Sequence, residues 1–187
     1  MRIVAGAWRG KALVAPPGRT TRPTADRVRQ ALFDMVLHAP WAGRAVIEGA
    51  AVLDVFAGTG AMGLEALSRG AARCCFVESD PAALRALRAN IAACGAGDRS
   101  TVIAGDVLSM GRGEAAGIVF LDPPYGQGLV PRALAHLSVV GRIAADALIV
   151  AEIGRDEAWA PAAVLAEREY GAAKAVVCRA DGLGQGR

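Results

Sequence analysis

Hydrophobic and polar positions change their spacing several times along the chain. From residue 51 onward, short apolar runs alternate with segments whose apolar residues recur every three or four positions. The first pattern predicts buried strands and the second predicts amphipathic helices. Strands are predicted at 51–56, 72–78, 100–106, 117–122 and 147–153, and helices at 61–70, 81–95 and 128–140. This alternation favours an α/β fold, in which helices cover both faces of a parallel sheet.

The first 48 residues follow a different pattern. Two short extended segments flank Gly10 and predict a small hairpin. A helix is predicted at 25–37, because apolar residues recur there at helical spacing, with Arg27, Gln30 and Asp34 off that face. The residues of its apolar face are Val28, Leu32, Met35 and Val36.

At the other end of the chain, residues 168–180 contain two extended pieces around Gly171. They predict an antiparallel pair of strands at one edge of the sheet. The glycine-rich residues 181–187 are expected to fray. The chain is therefore expected to consist of an N-terminal extension, 1–48, and a main domain, 49–187.

Composition limits the class of protein. Of the 187 residues, 53% are hydrophobic, which is enough for one substantial core, and no run of 18 apolar residues suggests a membrane span. The four cysteines, with only two histidines in the chain, have no metal-ligand spacing, so no metal is expected. They are interpreted as free thiols of a cytoplasmic protein, namely Cys74, Cys75, Cys94 and Cys178.

Charge is distributed unevenly along the chain. The first 30 residues carry a formal charge of +6, although the whole chain carries only +3. A basic segment on a mildly acidic body suggests contact with a polyanion, and a solvated basic face is the alternative.

The ends of four predicted strands carry candidate ligand-binding residues, because ligands of open α/β sheets bind beyond the carboxyl ends of the strands. After the first strand, Gly58, Gly60 and Gly63 match the spacing of a dinucleotide-binding loop. Asp54 within that loop would repel a phosphate, however, and instead suits a cationic ligand such as an amino-acid ammonium group.

The next two strand ends carry acids. Glu78 is placed to bind the hydroxyls of a ribose, with a surface acid as the alternative. Asp106 could accept a hydrogen bond from an adenine amino group, with a helix cap as the alternative. Together with Asp54, these positions favour a nucleoside that carries a positively charged amino-acid tail, which describes S-adenosylmethionine.

The fourth strand ends in the sequence Asp-Pro-Pro-Tyr, at 122–125. Neither proline can continue a sheet ladder, and both fix the backbone rigidly. The Asp122 carboxylate and the Pro123 carbonyl could accept hydrogen bonds from the two N–H groups of an exocyclic base amine. These hydrogen bonds would localise the lone pair of the amine nitrogen for attack on a methyl group. Tyr125 could stack on the base after it leaves its helix.

Longer stretches of the chain resemble the RsmD family of bacterial 16S ribosomal RNA guanine-N2 methyltransferases. The stretches that resemble it are RIVAGAWRGKAL, RPTADRVRQALF and DVFAGTGAMGLEALSRGA, together with Asp-Pro-Pro-Tyr. The resemblance implies a Rossmann-like class I methyltransferase fold, with a mostly parallel seven-stranded sheet and a reversed last strand. It also implies S-adenosylmethionine as the methyl donor and an assembled small ribosomal subunit as the substrate, with a monomer as the simplest state.

The resemblance also implies roles for individual residues. Asp54, Phe56, Gly58, Gly60, Glu78 and Asp106 would bind the donor, and Asp122, Pro123, Pro124 and Tyr125 would form the catalytic platform. Trp8, Arg9, Lys11, Arg22, Arg27 and Arg29 would help to hold RNA. Three alternatives remain open: an adenine-N6 methyltransferase of DNA or RNA, a nicotinamide-dependent oxidoreductase, and a non-catalytic subunit that binds the cofactor.

Overall fold

One seven-stranded sheet forms the centre of the protein. The computed structural model describes residues 1–16, 23–41 and 44–183. The strands are β1 Ala51–Val55, β2 Arg73–Glu78, β3 Ser100–Ala104, β4 Ala116–Leu121, β5 Ile143–Gly154, β6 Val164–Tyr170 and β7 Ala173–Arg179. Their order across the sheet is β3-β2-β1-β4-β5-β7-β6.

Strands β1 to β5 are parallel, and β7 is the reversed strand, antiparallel to both of its neighbours. β7 reverses because it follows β6 in a tight hairpin, which turns at Gly171 with φ +64°. The predicted mostly parallel seven-stranded sheet with a reversed last strand is confirmed. The predicted C-terminal pair is also confirmed, although β7 lies inside the sheet and only β6 lies at the edge.

Helices cover both faces of the sheet, as the alternating pattern predicts. The helices are α1 Pro23–His38, α2 Ala61–Ser68, α3 Pro81–Cys94 and α4 Leu129–Val139. α1, α2 and α3 pack on one face, and α4 packs on the other. The core is made of the apolar stripes of these helices and the alternate residues of the strands. Within the described part of the chain, no helix has the length and hydrophobicity that crossing a membrane requires.

The N-terminal extension forms the expected antiparallel pair. Arg2 pairs with Ala12, and the Ile3 amide donates to the Lys11 carbonyl at 2.9 Å. Ile3 and Leu13 are buried in the same apolar cluster as α1, α2 and α3. The extension therefore shares the core of the main fold.

A buried acid attaches the extension to α2. The fully buried Glu65 carboxylate accepts hydrogen bonds from the amides of Val4 and Ala5, at 2.8 and 3.0 Å. It also forms ion pairs with Arg29 at 3.5 Å and with Arg69 at 2.8 Å. Since each of these groups would be costly to bury alone, the network fixes the extension against the helix.

The burial of Arg29 corrects one expectation. Arg29 is only 4% exposed, because position 29 lies on the buried face of α1 with Leu32, Phe33 and Val36, so the prediction that it holds RNA is wrong. Of the tail that is expected to fray, residues 181–183 belong to a short 3-10 turn, Ala180–Leu183, and residues 184–187 lie outside the described part of the chain.

Candidate active site

A cleft of about 610 Å³ opens at the carboxyl ends of the central strands. Its floor is formed by β1, β4 and β5, and one wall is formed by the N-terminal extension, including α1. Residues from these elements line it: Met1, Ala15, Pro16, Val28, Arg29, Leu32, Asp54, Phe56, Ala57, Gly58, Thr59, Ala61, Met62, Asp122, Tyr125, Glu152, Tyr170, Ala172 and Ala173.

Three carboxylates line this cleft: Asp54, Asp122 and Glu152. Asp54 pairs in register with Phe120, and Phe120 pairs with Val150. Asp122 and Glu152 each follow these residues by two positions and therefore lie on the same face of the sheet. The strand register thus brings acids from three separate segments of the chain to one place.

Among the described residues, the lining residue with a basic side chain is Arg29, and its charge is already paired. Its guanidinium donates to Asp26 at 3.0 Å, donates to the Arg2 carbonyl, and lies beside the Glu65 carboxylate. The cleft is therefore acidic, which suits a cationic ligand and opposes a pyrophosphate.

Asp54 lies at the bottom of the cleft and is 3% exposed. Its carboxylate accepts a hydrogen bond from the Gly63 amide in the first turn of α2, at 2.8 Å. Burial, reinforced by the nearby charges of Asp122 and Glu78, raises the pKa of Asp54 to about 8 despite that hydrogen bond. A cation that binds beside Asp54 would bring this carboxyl back to its charged form.

The three glycines of the loop after β1 have different roles. Gly58 has φ +56° and lines the cleft, where an added Cβ would make an ordinary contact with the Phe56 carbonyl oxygen at 3.9 Å. Gly60 and Gly63 are not among the lining residues, and an added Cβ would come within 2.4 Å of Leu87 at Gly60 and of Phe76 at Gly63. The dinucleotide-like spacing therefore combines one position open to a ligand with two that pack α2 against its neighbours. That Gly60 binds the donor stays a prediction, since its neighbours Thr59 and Ala61 line the cleft and Gly60 itself does not.

Glu78 fixes the same loop from the end of β2. Its carboxylate accepts from the Gly58 amide at 2.7 Å and from the Ser79 and Asp80 amides. Asp106 caps the short 3-10 turn Val107–Ser109 by accepting from the Leu108 amide at 2.9 Å. Both acids thus accept hydrogen bonds from backbone amides, and neither side chain lines the cleft. Their roles toward a ribose and an adenine stay predictions.

The Asp-Pro-Pro-Tyr segment follows β4 directly. Asp122 and Tyr125 line the cleft, whereas Pro123 is buried and Pro124 is exposed, and neither proline lines it. The Tyr125 hydroxyl donates a hydrogen bond to Glu152, which sequence reasoning missed. Partial burial, this hydrogen bond and the neighbouring carboxylates raise the pKa of Tyr125 above its usual range, so the hydroxyl remains a donor.

A second glutamate holds the loop that follows Tyr125. The Glu157 carboxylate accepts from the amides of Gly126, Gly128 and Gly154, at 3.1 to 3.3 Å. These hydrogen bonds, that from Gly126 first, lower the pKa of Glu157. Because Gly126 follows Tyr125 and Gly154 ends β5, Glu157 ties the candidate catalytic segment to the sheet.

The wall contributed by the N-terminal extension is also fixed in place. The Asn90 amide of α3, which is 1% exposed, pairs with both backbone groups of Val14 at 2.8 and 3.0 Å. The same side chain donates to the Thr59 carbonyl at 2.9 Å. Asn90 therefore links the extension to the loop after β1, and the sequence pattern of α3 gave no sign of this role.

The residues expected to hold RNA lie in different environments. Arg9, Lys11 and Arg27 are exposed. Trp8 is half-buried, with its ring under the Arg99 guanidinium at 5.0 Å and its amide donating to Ser68. Arg22 lies outside the described residues.

Comparisons with known proteins agree with this arrangement. The family model "conserved hypothetical protein 95" matches residues 1–179. The ribosomal RNA small subunit methyltransferase D of Escherichia coli is 41% identical over 153 residues, which are 81% of this chain and 74% of that protein. The solved structure of a proposed methyltransferase of Escherichia coli, yhhF, has a TM-score of 0.83 and 36% identity, covering 97% of this chain and 98% of that one.

A more distant structure shares the fold. The RNA methyltransferase of Salinibacter ruber, solved in complex with S-adenosyl-L-homocysteine, has a TM-score of 0.57 and 20% identity. It covers 86% of this chain and 92% of that one. Relatives at two levels of similarity therefore share one sheet architecture with this chain.

Proposed function

The chain belongs to the conserved hypothetical protein 95 family, the RsmD family of methyltransferases, and on that premise we propose that it methylates the exocyclic N2 amine of a guanine in 16S ribosomal RNA. The methyl donor is S-adenosylmethionine. The substrate is the small ribosomal subunit, and the enzyme acts on it as a cytoplasmic monomer.

The observation that carries this proposal is the acidic cleft. Three carboxylates line it, and its lining arginine is already paired with acids. S-adenosylmethionine carries an ammonium and a sulfonium, and it supplies an electrophilic methyl group. Asp54 would bind the ammonium, while Phe56 and Gly58 would border the donor. Glu78 and Asp106 would reach the ribose and the adenine from the same edge of the sheet.

Asp122 and Tyr125 act on the methyl acceptor. The Asp122 carboxylate accepts a hydrogen bond from an N–H group of the amine. This hydrogen bond directs the lone pair of the amine nitrogen at the methyl carbon. A C–N bond forms as the C–S bond breaks, and the nitrogen then loses its proton to Asp122 or to water. Holding both reactants in line contributes much of the rate gain, with no covalent enzyme intermediate. Tyr125, 44% exposed beside the cleft, supplies a surface on which the base stacks.

The raised pKa of Asp54 gives a pH dependence to donor binding. Because its pKa is about 8, Asp54 is protonated at pH 6, and it must release that proton to pair with the donor's ammonium. We therefore expect the affinity for S-adenosylmethionine to rise from pH 6 to 7.5, by up to about tenfold per pH unit. Titration calorimetry in buffers of different ionisation enthalpy measures both the affinity and the released proton.

Asp54→Asn is the matched control for this dependence. The amide oxygen can still accept from the Gly63 amide, but the side chain no longer titrates. This variant should bind the donor weakly and with little change across the same pH range. An equal slope in both proteins would show that another group titrates.

The basic extension, 1–48, contributes RNA affinity. Arg9 and Arg27 are exposed and lie outside the cleft. We expect Arg9→Gln/Arg27→Gln to weaken binding of small subunits about tenfold at low salt. The slope of log affinity against log salt should fall by up to about 2, since each lost phosphate contact removes slightly less than one released counterion. Filter binding across a salt series measures both quantities.

Arg112→Gln serves as the control, because Arg112 is exposed at the opposite, amino end of the sheet, just before β4. It should leave the salt slope unchanged. Equal slopes for the double variant and the wild type would remove the extension from RNA binding.

The choice of acceptor is tested by methyl transfer from labelled S-adenosylmethionine to three substrates: small subunits, protein-free 16S ribosomal RNA and duplex DNA. Small subunits are expected to accept the most label. Labelling of DNA alone would overturn the proposal in favour of a DNA methyltransferase, and no labelling at all would leave only a cofactor-binding fold.

A further inference from the structure

Two carboxylates lie side by side where the acceptor base must enter. Leu121 of β4 pairs in register with Ala151 of β5, and Asp122 and Glu152 are the residues that follow them. Neighbouring strands lie about 4.8 Å apart. Both side chains line the cleft, together with the Tyr125 ring. The amine chemistry requires only Asp122, so the second carboxylate needs its own explanation.

A pair of acceptors fits one base better than another. The Watson–Crick edge of guanine presents the N1–H beside the N2 amine, so it offers two neighbouring donor groups, both attached to C2. Adenine instead presents a lone pair at N1 beside its N6 amine. Two adjacent carboxylates can accept from guanine at both atoms, whereas adenine would place its N1 lone pair against a negative charge. A site therefore selects by what it repels as well as by what it binds.

We propose that Glu152 determines the choice of guanine by accepting a hydrogen bond from N1–H, while Asp122 accepts a hydrogen bond from the N2 amine. One Glu152 oxygen already accepts from the Tyr125 hydroxyl. A carboxylate has about four lone-pair sites on two oxygens, so it can accept from the base as well. The Tyr125 hydroxyl also fixes the position of the carboxylate. This inference rests on the proposed function and supplies the base specificity that Asp-Pro-Pro-Tyr alone does not.

The test uses 2-aminopurine, which keeps the 2-amine of guanine but lacks the O6 carbonyl and therefore carries a lone pair in place of the N1–H. The Glu152 variants separate the effect of N1 from that of O6. After the methylated position is mapped, small subunits are reconstituted with guanine or 2-aminopurine at that position. The wild type should prefer guanine by on the order of 10- to 100-fold in kcat/KM, as expected for a hydrogen bond to a charged acceptor.

Glu152→Gln should reduce this preference to within about threefold, because an amide can present either an acceptor or a donor to N1. Glu152→Asp keeps a carboxylate and should keep the preference for guanine at a lower rate. If the wild type used both bases equally, or if Glu152→Gln kept the wild-type preference, the inference would be overturned.

Tyr125→Phe distinguishes direct recognition of the base by Glu152 from an effect of Glu152 on the position of Tyr125. It removes the hydroxyl that donates to Glu152 but leaves the ring. The preference for guanine should survive this change even if the rate falls. If Tyr125→Phe abolished the preference as Glu152→Gln does, Glu152 would act only by placing Tyr125. If the wild type methylated no guanine at all, the proposed function would fail first and the inference with it.

Discussion

Asp122→Asn is expected to lower kcat for methyl transfer to small subunits by about 10²- to 10⁴-fold. The asparagine keeps the shape of the side chain but removes the charge that polarises the amine and receives its proton. S-adenosylmethionine should still bind within about tenfold of the wild-type affinity, since Asp54 supplies the main contact with its ammonium. Single-turnover methyl transfer and calorimetry measure the two effects separately.

Asp98→Asn provides the matched control. Asp98 is exposed in a short turn before β3, at the amino end of the sheet and away from the cleft. Its substitution should leave kcat unchanged. A rate within threefold of wild type for Asp122→Asn would show that positioning alone carries the chemistry and that Asp122 has no catalytic role.

Glu65→Ala is expected to lower the free energy of unfolding by about 3–5 kcal/mol. The change leaves the Arg29 and Arg69 guanidinium groups without their common partner and the Val4 and Ala5 amides without an acceptor. For a chain of this size, the melting temperature should fall by roughly 6 to 20 °C. Urea unfolding followed by circular dichroism measures the free energy.

Glu114→Ala is the comparison, because Glu114 forms an ion pair with Arg73 in which both side chains are more than half exposed. Its loss should cost less than about 1 kcal/mol. Equal costs for the two variants would mean that Glu65 contributes no more than a surface ion pair. Because the extension also lines the cleft, Glu65→Ala should weaken donor binding even at temperatures where the protein remains folded.

The sequence was sufficient for the parallel part of the sheet, since its strands and helices alternate with clear periodicity, and the family resemblance supplies the seven strands and the reversed last strand. It was less reliable for the charged residues of α1. Arg29 lies at helical spacing from Leu32, Phe33 and Val36, so the pattern did place it on the buried face. The prediction that Arg29 is exposed rested on its charge, because a buried arginine is rare unless it has partners elsewhere in the chain.

Those partners were not visible in the sequence. Glu65 lies within an apolar helix, and only the folded structure brings it to Arg29 and to the Val4 amide. Asn90 is similar, because its bonds to Val14 and Thr59 join segments far apart in the chain. Long-range polar contacts of this kind leave no periodic signal.

Glu152 could have been found by the rule that located Asp54 and Asp122. It follows the apolar run of the fifth strand and therefore lies at the same edge of the sheet as the other acids. The different environments of Gly58 and Gly60 could not be predicted from the sequence, because both glycines belong to the same glycine-rich spacing. In the structure Gly58 lines the cleft, whereas Gly60 packs against Leu87.

The central claim is that the acceptor atom is N2 of a guanine, and identification of the methylated nucleoside tests it most directly. Small subunits labelled by the purified protein are digested to nucleosides, and the products are separated and identified by mass and retention. N2-methylguanosine is the expected product, and Asp122→Asn should form the same product about 10²- to 10⁴-fold more slowly. N6-methyladenosine would keep the fold and the acidic donor cleft but contradict both the guanine assignment and the role of Glu152.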